Sequence, residues 1–162
     1  MRLVFGALPG ETVETANEKK SKSVIFADTA RILSPHPRRI KPPCPYFCLC
    51  GGCDLQHASY DLQLELKQAM INECADRAGV RLPPFALLPS SPFGYRNRLR
   101  VRLNGDGVPS FFKRGSRTPQ PIEQCLCACE TINHKLKEMT ENPRPESSGE
   151  EIQLTVDSEG VC

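Results

Sequence analysis

Apolar and polar positions alternate through the first forty residues as in short strands broken by turns. "RLVF" runs into the turn "GALPGE", "TVETANEKK" leads to a polar bend at 20–22, and "SVIFADTARIL" ends at "SPHP". Three strands between Gly/Pro turns resemble part of a small barrel, although three cannot close one. Residues 59–78 follow with helical spacing: Tyr60, Leu64, Ile71, Cys74, Ala75 and Ala78, widened by Leu66 and Met70. Ser59 is the expected N-cap, Asp61 suits the first turn, and Gly79 with Pro83 and Pro84 ends the helix. This helix is expected to pack against a core, with Cys74 as a buried small apolar residue.

Residues 95–103 alternate strictly, 104–107 make a turn and 108–114 return, which predicts a β-hairpin. "PQPIEQC" predicts a further short strand, residues 130–141 a helix of marginal length, and "NPRPESSGEE" a polar linker. "IQLTVD" reads as a strand with nothing after it to pair with. Long antiparallel stretches with two separate helices make the fold class α+β.

The hairpin carries the first chemistry. Arg96, Arg98, Arg100 and Arg102 alternate with Asn97, Leu99, Val101 and Leu103, so period two sets all four guanidiniums on one face. Four stacked like charges repel unless something anionic lies across them, and the arginine fork suits phosphate. Lys113, Arg114 and Arg117 extend the patch. The alternatives are contact with RNA or DNA and a solvated outer face.

Charge sharpens this picture. The net charge of +2 hides 18 Lys and Arg against 10 Asp and Glu in residues 1–120, and 3 against 9 in 121–162. A basic body favours a phosphate-bearing partner, and the acidic end would repel one. With 39% hydrophobic residues and no tryptophan, any core is modest. No stretch approaches the ~18 apolar residues of a membrane helix, and the start has no signal-peptide pattern. A cytoplasmic monomer is expected, in which nine cysteines are metal ligands or bystanders rather than a disulfide framework.

Four of the nine lie in "CPYFCLCGGC". Cys44, Cys50 and Cys53 form a C-x5-C-x2-C run able to wrap one face of a cubane cluster. Gly51 and Gly52 let the backbone approach inorganic sulfur. A fourth thiolate must then come from Cys125, Cys127 or Cys129 in "QCLCACE". Zinc competes, though the distal half offers only C-x-C spacings where structural zinc sites pair two knuckles. Inert or oxidised cysteines are the third alternative.

The segments "PPCPYFCLCGGCDLQHASYDLQLELKQ", "GYRNRLRVRL" and "FFKRGSRTPQPIEQC" together resemble the cluster-bearing RNA uracil-C5 methyltransferases, most of all the branch acting on 23S ribosomal RNA. The resemblance covers about residues 3–133. It implies a partial OB-like TRAM domain over 1–40, an iron–sulfur loop over 41–58, and a helix plus central β domain over 59–162. It assigns a [4Fe–4S] cluster to Cys44, Cys50, Cys53 and Cys125, with Asn133 at a family-like interval and Cys48, Cys127 and Cys129 outside the ligand set. Cys127 could stand in for Cys125. RNA contact falls to Arg96, Arg98, Arg100, Lys113 and Arg114, with 23S ribosomal RNA as the expected partner. Full-length members also carry a domain with a Gly-rich S-adenosylmethionine loop, a cysteine nucleophile in a motif like "SCNP" and a late glutamate. None of these occurs in this sequence, and the TRAM region lacks its usual first strand. The expectation is therefore a portion of such an enzyme, inactive alone, with no catalytic residue of its own.

Overall fold

The computed structural model describes residues 1–157, which form two units. Cys162 lies outside the described residues. One unit is Met1–Pro43 with Asp54–Leu88; the other is Cys44–Cys53 with the chain from Pro89 onward.

In the first unit, β1 (Arg2–Phe5), β2 (Thr12–Ser21) and β3 (Val24–Ser34) form one open sheet in the order β1-β3-β2. The three predicted strands are present, but not as a simple meander: β1 runs parallel to the central β3, pairing Arg2 with Ile25 and Phe5 with Asp28. β2 runs antiparallel to β3 and slips register three times, with Asn17 at φ 53° inside the last slip. Phe5 and Phe26 stack with ring centroids 6.4 Å apart.

One ion pair ties the first turn to the chain beyond β3. The Glu11 carboxylate has no accessible surface and accepts from Arg39 Nε and an Arg39 terminal nitrogen, each at 2.6 Å. It also accepts from the backbone N–H groups of Leu8 at 2.8 Å and His36 at 2.9 Å. The same Arg39 donates to the Gly6 carbonyl at 2.6 Å. Arg39 forms a bridge with Ala58, and Ile40 N–H donates to His57 O.

Helix α1 (Tyr60–Arg77) begins where expected, yet Ser59 makes no side-chain capping bond. Its packing also differs from expectation. Only Leu62 is buried, beside Leu8 and Ala58, with Leu66 partly covered. Met70, Ile71 and Cys74 are exposed. The small apolar cluster meets only the first turns of the helix, so the expected burial of Cys74 fails.

The second unit is built on a four-stranded antiparallel sheet, β6-β5-β4-β7, from β4 (Arg98–Leu103), β5 (Pro109–Phe112), β6 (Pro119–Pro121) and β7 (Glu151–Thr155). The predicted hairpin is β4–β5. Its turn is closed by the Asn104 side chain, which accepts from Asp106 N–H and Val108 N–H at 3.0 and 2.9 Å. Gly107 follows at φ +74°, where an added Cβ would stand 2.1 Å from the Arg144 backbone. The strand expected to lack a partner, β7, pairs backward with β4, Leu99 opposite Leu154.

Helix α2 (Glu130–Glu141) has the bounds its sequence predicts. Although short, it is the helix that builds a core. Ile132 and Leu136, one turn apart, are fully buried against Leu99, Val101, Ile122, Ala128 and Leu154. Burial of that face, rather than helix length, holds so short a segment. No helix is long and apolar enough to cross a membrane among the described residues.

Candidate metal centre and nucleic-acid interface

The cysteine segment is a series of tight turns: Phe47 N–H donates to Cys44 O at 3.2 Å and Cys50 N–H to Tyr46 O at 2.8 Å. Cys48 sits exposed at φ 70°, apart from the half-buried Cys44, Cys50 and Cys53. The segment is pinned beyond the end of β5 by a bridge between Cys50 and Lys113. There Gly51 N–H donates to Phe112 O, and Arg114 N–H to Leu49 O, both at 3.0 Å. The Arg114 guanidinium donates to Cys53 O at 2.8 Å. Tyr46 reaches inward to the core and accepts from Glu123 N–H at 3.1 Å.

From the other side come residues 125–129, bracketed by Asn133. Its side-chain oxygen accepts from Cys125 N–H at 2.8 Å, and its nitrogen donates to the carbonyls of Cys125 and Ala128 at 3.1 Å. Cys129 is the N-cap residue of α2. This brings the Cys127 sulfur to 3.8 Å from the Cys53 sulfur. Burial pushes the Cys50 thiol up, against the Gly52 N–H that donates to its sulfur at 3.3 Å; the neighbouring Cys44 and Cys127 thiols push the same way as burial. Burial likewise raises Cys125, opposed by the N–H groups of Cys127 and Ala128. Each of Cys50, Cys53 and Cys125 thus has Cys127 as an electrostatic or contact neighbour. The family resemblance leaves Cys127 outside the ligand set, and no sequence signal marks its place beside Cys53, because residues 125–129 form a turn into α2 rather than a strand.

Does this donor set fit a metal group? It is all sulfur, drawn from two distant segments, with backbone N–H groups aimed at two of the thiols. Among the described residues no three His, Cys, Asp or Glu side chains stand together as ligands of a metal ion. A four-thiolate zinc site needs its sulfurs about 3.8 Å apart, a spacing the Cys53–Cys127 pair meets. A cubane several ångströms across asks for a wider ring of thiolates. The chemistry of the donors therefore suits a thiolate-held group, and metal binding would have to draw protons from thiols whose pKa values burial has raised.

The basic face follows the predicted alternation. Along β4, Arg98, Arg100 and Arg102 are exposed while Leu99, Val101 and Leu103 are buried. Arg96 precedes the strand in a parallel bridge with Ala128, its guanidinium 5.9 Å from the centroid of the Tyr95 ring. β7 modifies the row: Glu151 lies 3.4 Å from Arg100, both more than half exposed, and Arg102 Nε donates to Gly149 O at 2.8 Å. Lys113 is exposed beyond β5, while Arg114 is turned toward the cysteine segment. An exposed arginine row on one strand face can hold phosphates, with the opposite side chains committed to the core.

No family model matches the chain. Comparison with known proteins sets the class first. The chain is 33% identical, over 83% of its length, to an RNA methyltransferase of Aquifex aeolicus, of which it covers 32%. It is 34% identical over 84% of its length to the 23S rRNA (uracil(1939)-C(5))-methyltransferase RlmD of Alkalilimnicola ehrlichii, covering 32% of that protein. With the enzyme of the same name from Chromohalobacter salexigens it shares 32% identity over 96% of the chain and 34% of the relative. The crystal structure of the Pyrococcus abyssi tRNA (uracil-54, C5)-methyltransferase in complex with S-adenosyl-L-homocysteine superposes with a TM-score of 0.58 at 25% identity. That match covers 91% of this chain and 36% of the other. The chain belongs to the RNA uracil-C5 methyltransferase family, and it spans about a third of the length of the curated relatives it matches.

Proposed function

We propose that this chain is the RNA-recognition portion of an S-adenosylmethionine-dependent RNA uracil-C5 methyltransferase acting on 23S ribosomal RNA. The observation that carries the reading is the exposed arginine row of β4, backed by a buried apolar row and set in a chain homologous to such enzymes. Arg96, Arg98 and Arg100 would hold phosphates of the RNA strand, with Lys113 extending the basic surface. Arg114, whose guanidinium is bonded to Cys53 O, would reach RNA only from the edge of the cysteine segment. The open sheet of the first unit would be part of an OB-like TRAM module. S-adenosylmethionine would be held by residues outside this sequence, and the methyl transfer would occur there.

Cys44, Cys50, Cys53 and Cys125 would hold a [4Fe–4S] cluster, a group that supplies cross-linking here rather than a reacting centre. Support comes from Cys44 and Cys127 as electrostatic neighbours of Cys50, the Gly52 N–H on the Cys50 sulfur, and the Asn133 bracket that fixes the Cys125 backbone. Held so, residues 44–53 would be fastened to the start of α2. That region carries the Ala128 backbone to which Arg96 is bridged.

Salt dependence tests the RNA reading. Binding of single-stranded RNA should weaken log-linearly with salt, with a slope near −0.7 for each phosphate held. Replacing Arg96, Arg98 and Arg100 with alanine should weaken binding and flatten the slope by about 2. An unchanged slope in the triple variant would refute the assignment.

A further inference from the structure

Tyr95 stands out once the arginine row is assigned. It is 54% exposed, although its backbone lies in one of the more firmly stitched parts of the unit. Gly94 N–H donates to Leu126 O at 2.9 Å, Arg96 N–H to Cys127 O at 2.8 Å, and Cys129 N–H to Arg96 O at 2.9 Å. The Cys127 thiol and burial push the Tyr95 hydroxyl pKa up, and the Arg96 guanidinium opposes them. The main chain on both sides of Tyr95 is therefore held, yet about half of the residue is left to solvent. Core packing does not account for that arrangement, because a ring serving the core would be covered. The Arg96 guanidinium lies over the ring, in the range of a cation–π pair. Beyond it the exposed face of β4 continues with Arg98 and Arg100.

A half-exposed aromatic ring at the head of a row of guanidiniums has the two components by which proteins take single-stranded nucleic acid, a stacking surface and a track for phosphates. A double helix would offer only its backbone to this surface, since its bases are already stacked. We propose that Tyr95 is a stacking platform for one unpaired base of the RNA strand, with Arg96, Arg98 and Arg100 holding the phosphates that follow it. This rests on the RNA-binding reading above and adds to it a strand type and a base contact. The platform is also tied to the thiols, because the Arg96 N–H beside it donates to the carbonyl of Cys127, whose sulfur lies 3.8 Å from that of Cys53.

The test compares two fluorescein-labelled strands of about twelve units: oligouridine RNA, and an abasic strand with the same phosphates and no bases. Each is titrated with the full chain by fluorescence anisotropy. Wild type should bind oligouridine more tightly than the abasic strand. Tyr95→Ala should lose about 5- to 150-fold in affinity for oligouridine, the range for loss of one stacked base, with affinity for the abasic strand and the salt slope unchanged. Tyr95→Phe should keep base-dependent binding, and Tyr95→Leu, which retains bulk without a π face, should lose it. Equal losses on both strands, or no loss on oligouridine, would overturn the proposal while leaving phosphate binding intact. Failure of the wild type to bind either strand would remove the RNA reading and this inference together.

Discussion

Replacing Glu11 with glutamine probes the most completely satisfied charge in the first unit. In the native chain four hydrogen bonds of 2.6–2.9 Å converge on one carboxylate: two from Arg39, one from Leu8 N–H and one from His36 N–H. Glutamine preserves the shape but turns one oxygen into a donor, which must then face a donor pair of Arg39 with either His36 or Leu8. The Arg39 side chain, 17% exposed, is left as a largely buried charge without its counter-ion. Breaking such a pair from one side costs about 3–5 kcal/mol. An independent route to the magnitude starts from titration. The Arg39 hydrogen bond, with burial opposing it and the two backbone N–H groups assisting, lowers the Glu11 pKa from 4.5 to about 2. At about 1.4 kcal/mol per pH unit this difference is worth about 3 kcal/mol.

The sign follows from the lowered value. A carboxylate with a depressed pKa in the folded state stabilises fully above pH 4.5, and that contribution is lost as pH falls from 4.5 through 2. Urea denaturation followed by far-ultraviolet circular dichroism should therefore show Glu11→Gln less stable by about 3 kcal/mol at neutral pH. The gap from wild type should narrow as pH drops below 4.5, where wild type loses the same contribution. Hydrogen exchange read by mass spectrometry should place the loss within residues 1–43. A variant within about 1 kcal/mol of wild type at pH 7, or a gap independent of pH, would refute the reasoning.

Two further predictions concern the second unit. After anaerobic preparation, wild type should carry about four irons and four sulfides. Cys125→Ser should lose them, and Cys48→Ser and Cys127→Ser should retain them; one zinc per chain, or loss in Cys127→Ser with retention in Cys125→Ser, would overturn the ligand set. Leu136→Ala, at a fully buried position of α2, should cost about 2–5 kcal/mol by urea denaturation. Ile71→Ala, at an exposed position of α1, should stay within about 0.5 kcal/mol.

The contrast between those two helices shows where sequence reasoning was sound and where it was not. Both segments are helices at nearly the expected bounds, because helix formation is largely a local matter of spacing, caps and breakers. Which helix carries the core is not local. α1 has more apolar residues, but they are distributed around and along it, and the small cluster of Leu8 and Ala58 reaches only its start. α2 has few, and two of them meet the apolar side of a sheet.

By itself the sequence determined the strands, the β4 alternation and the family. Period two assigns every second residue to one face whatever the partner strands are, so the arginines were readable before any fold was known. The cysteine spacing likewise marked a thiol-rich site. Only the tertiary structure decided that β7 returns to pair with β4 and sets Glu151 beside Arg100. It also decided that Cys127 lies against Cys53, and that Tyr95 is half exposed between firmly bonded main-chain neighbours. These are contacts between segments far apart in sequence. No local period encodes them; they depend on which apolar faces bury one another, and that is settled for the whole unit at once.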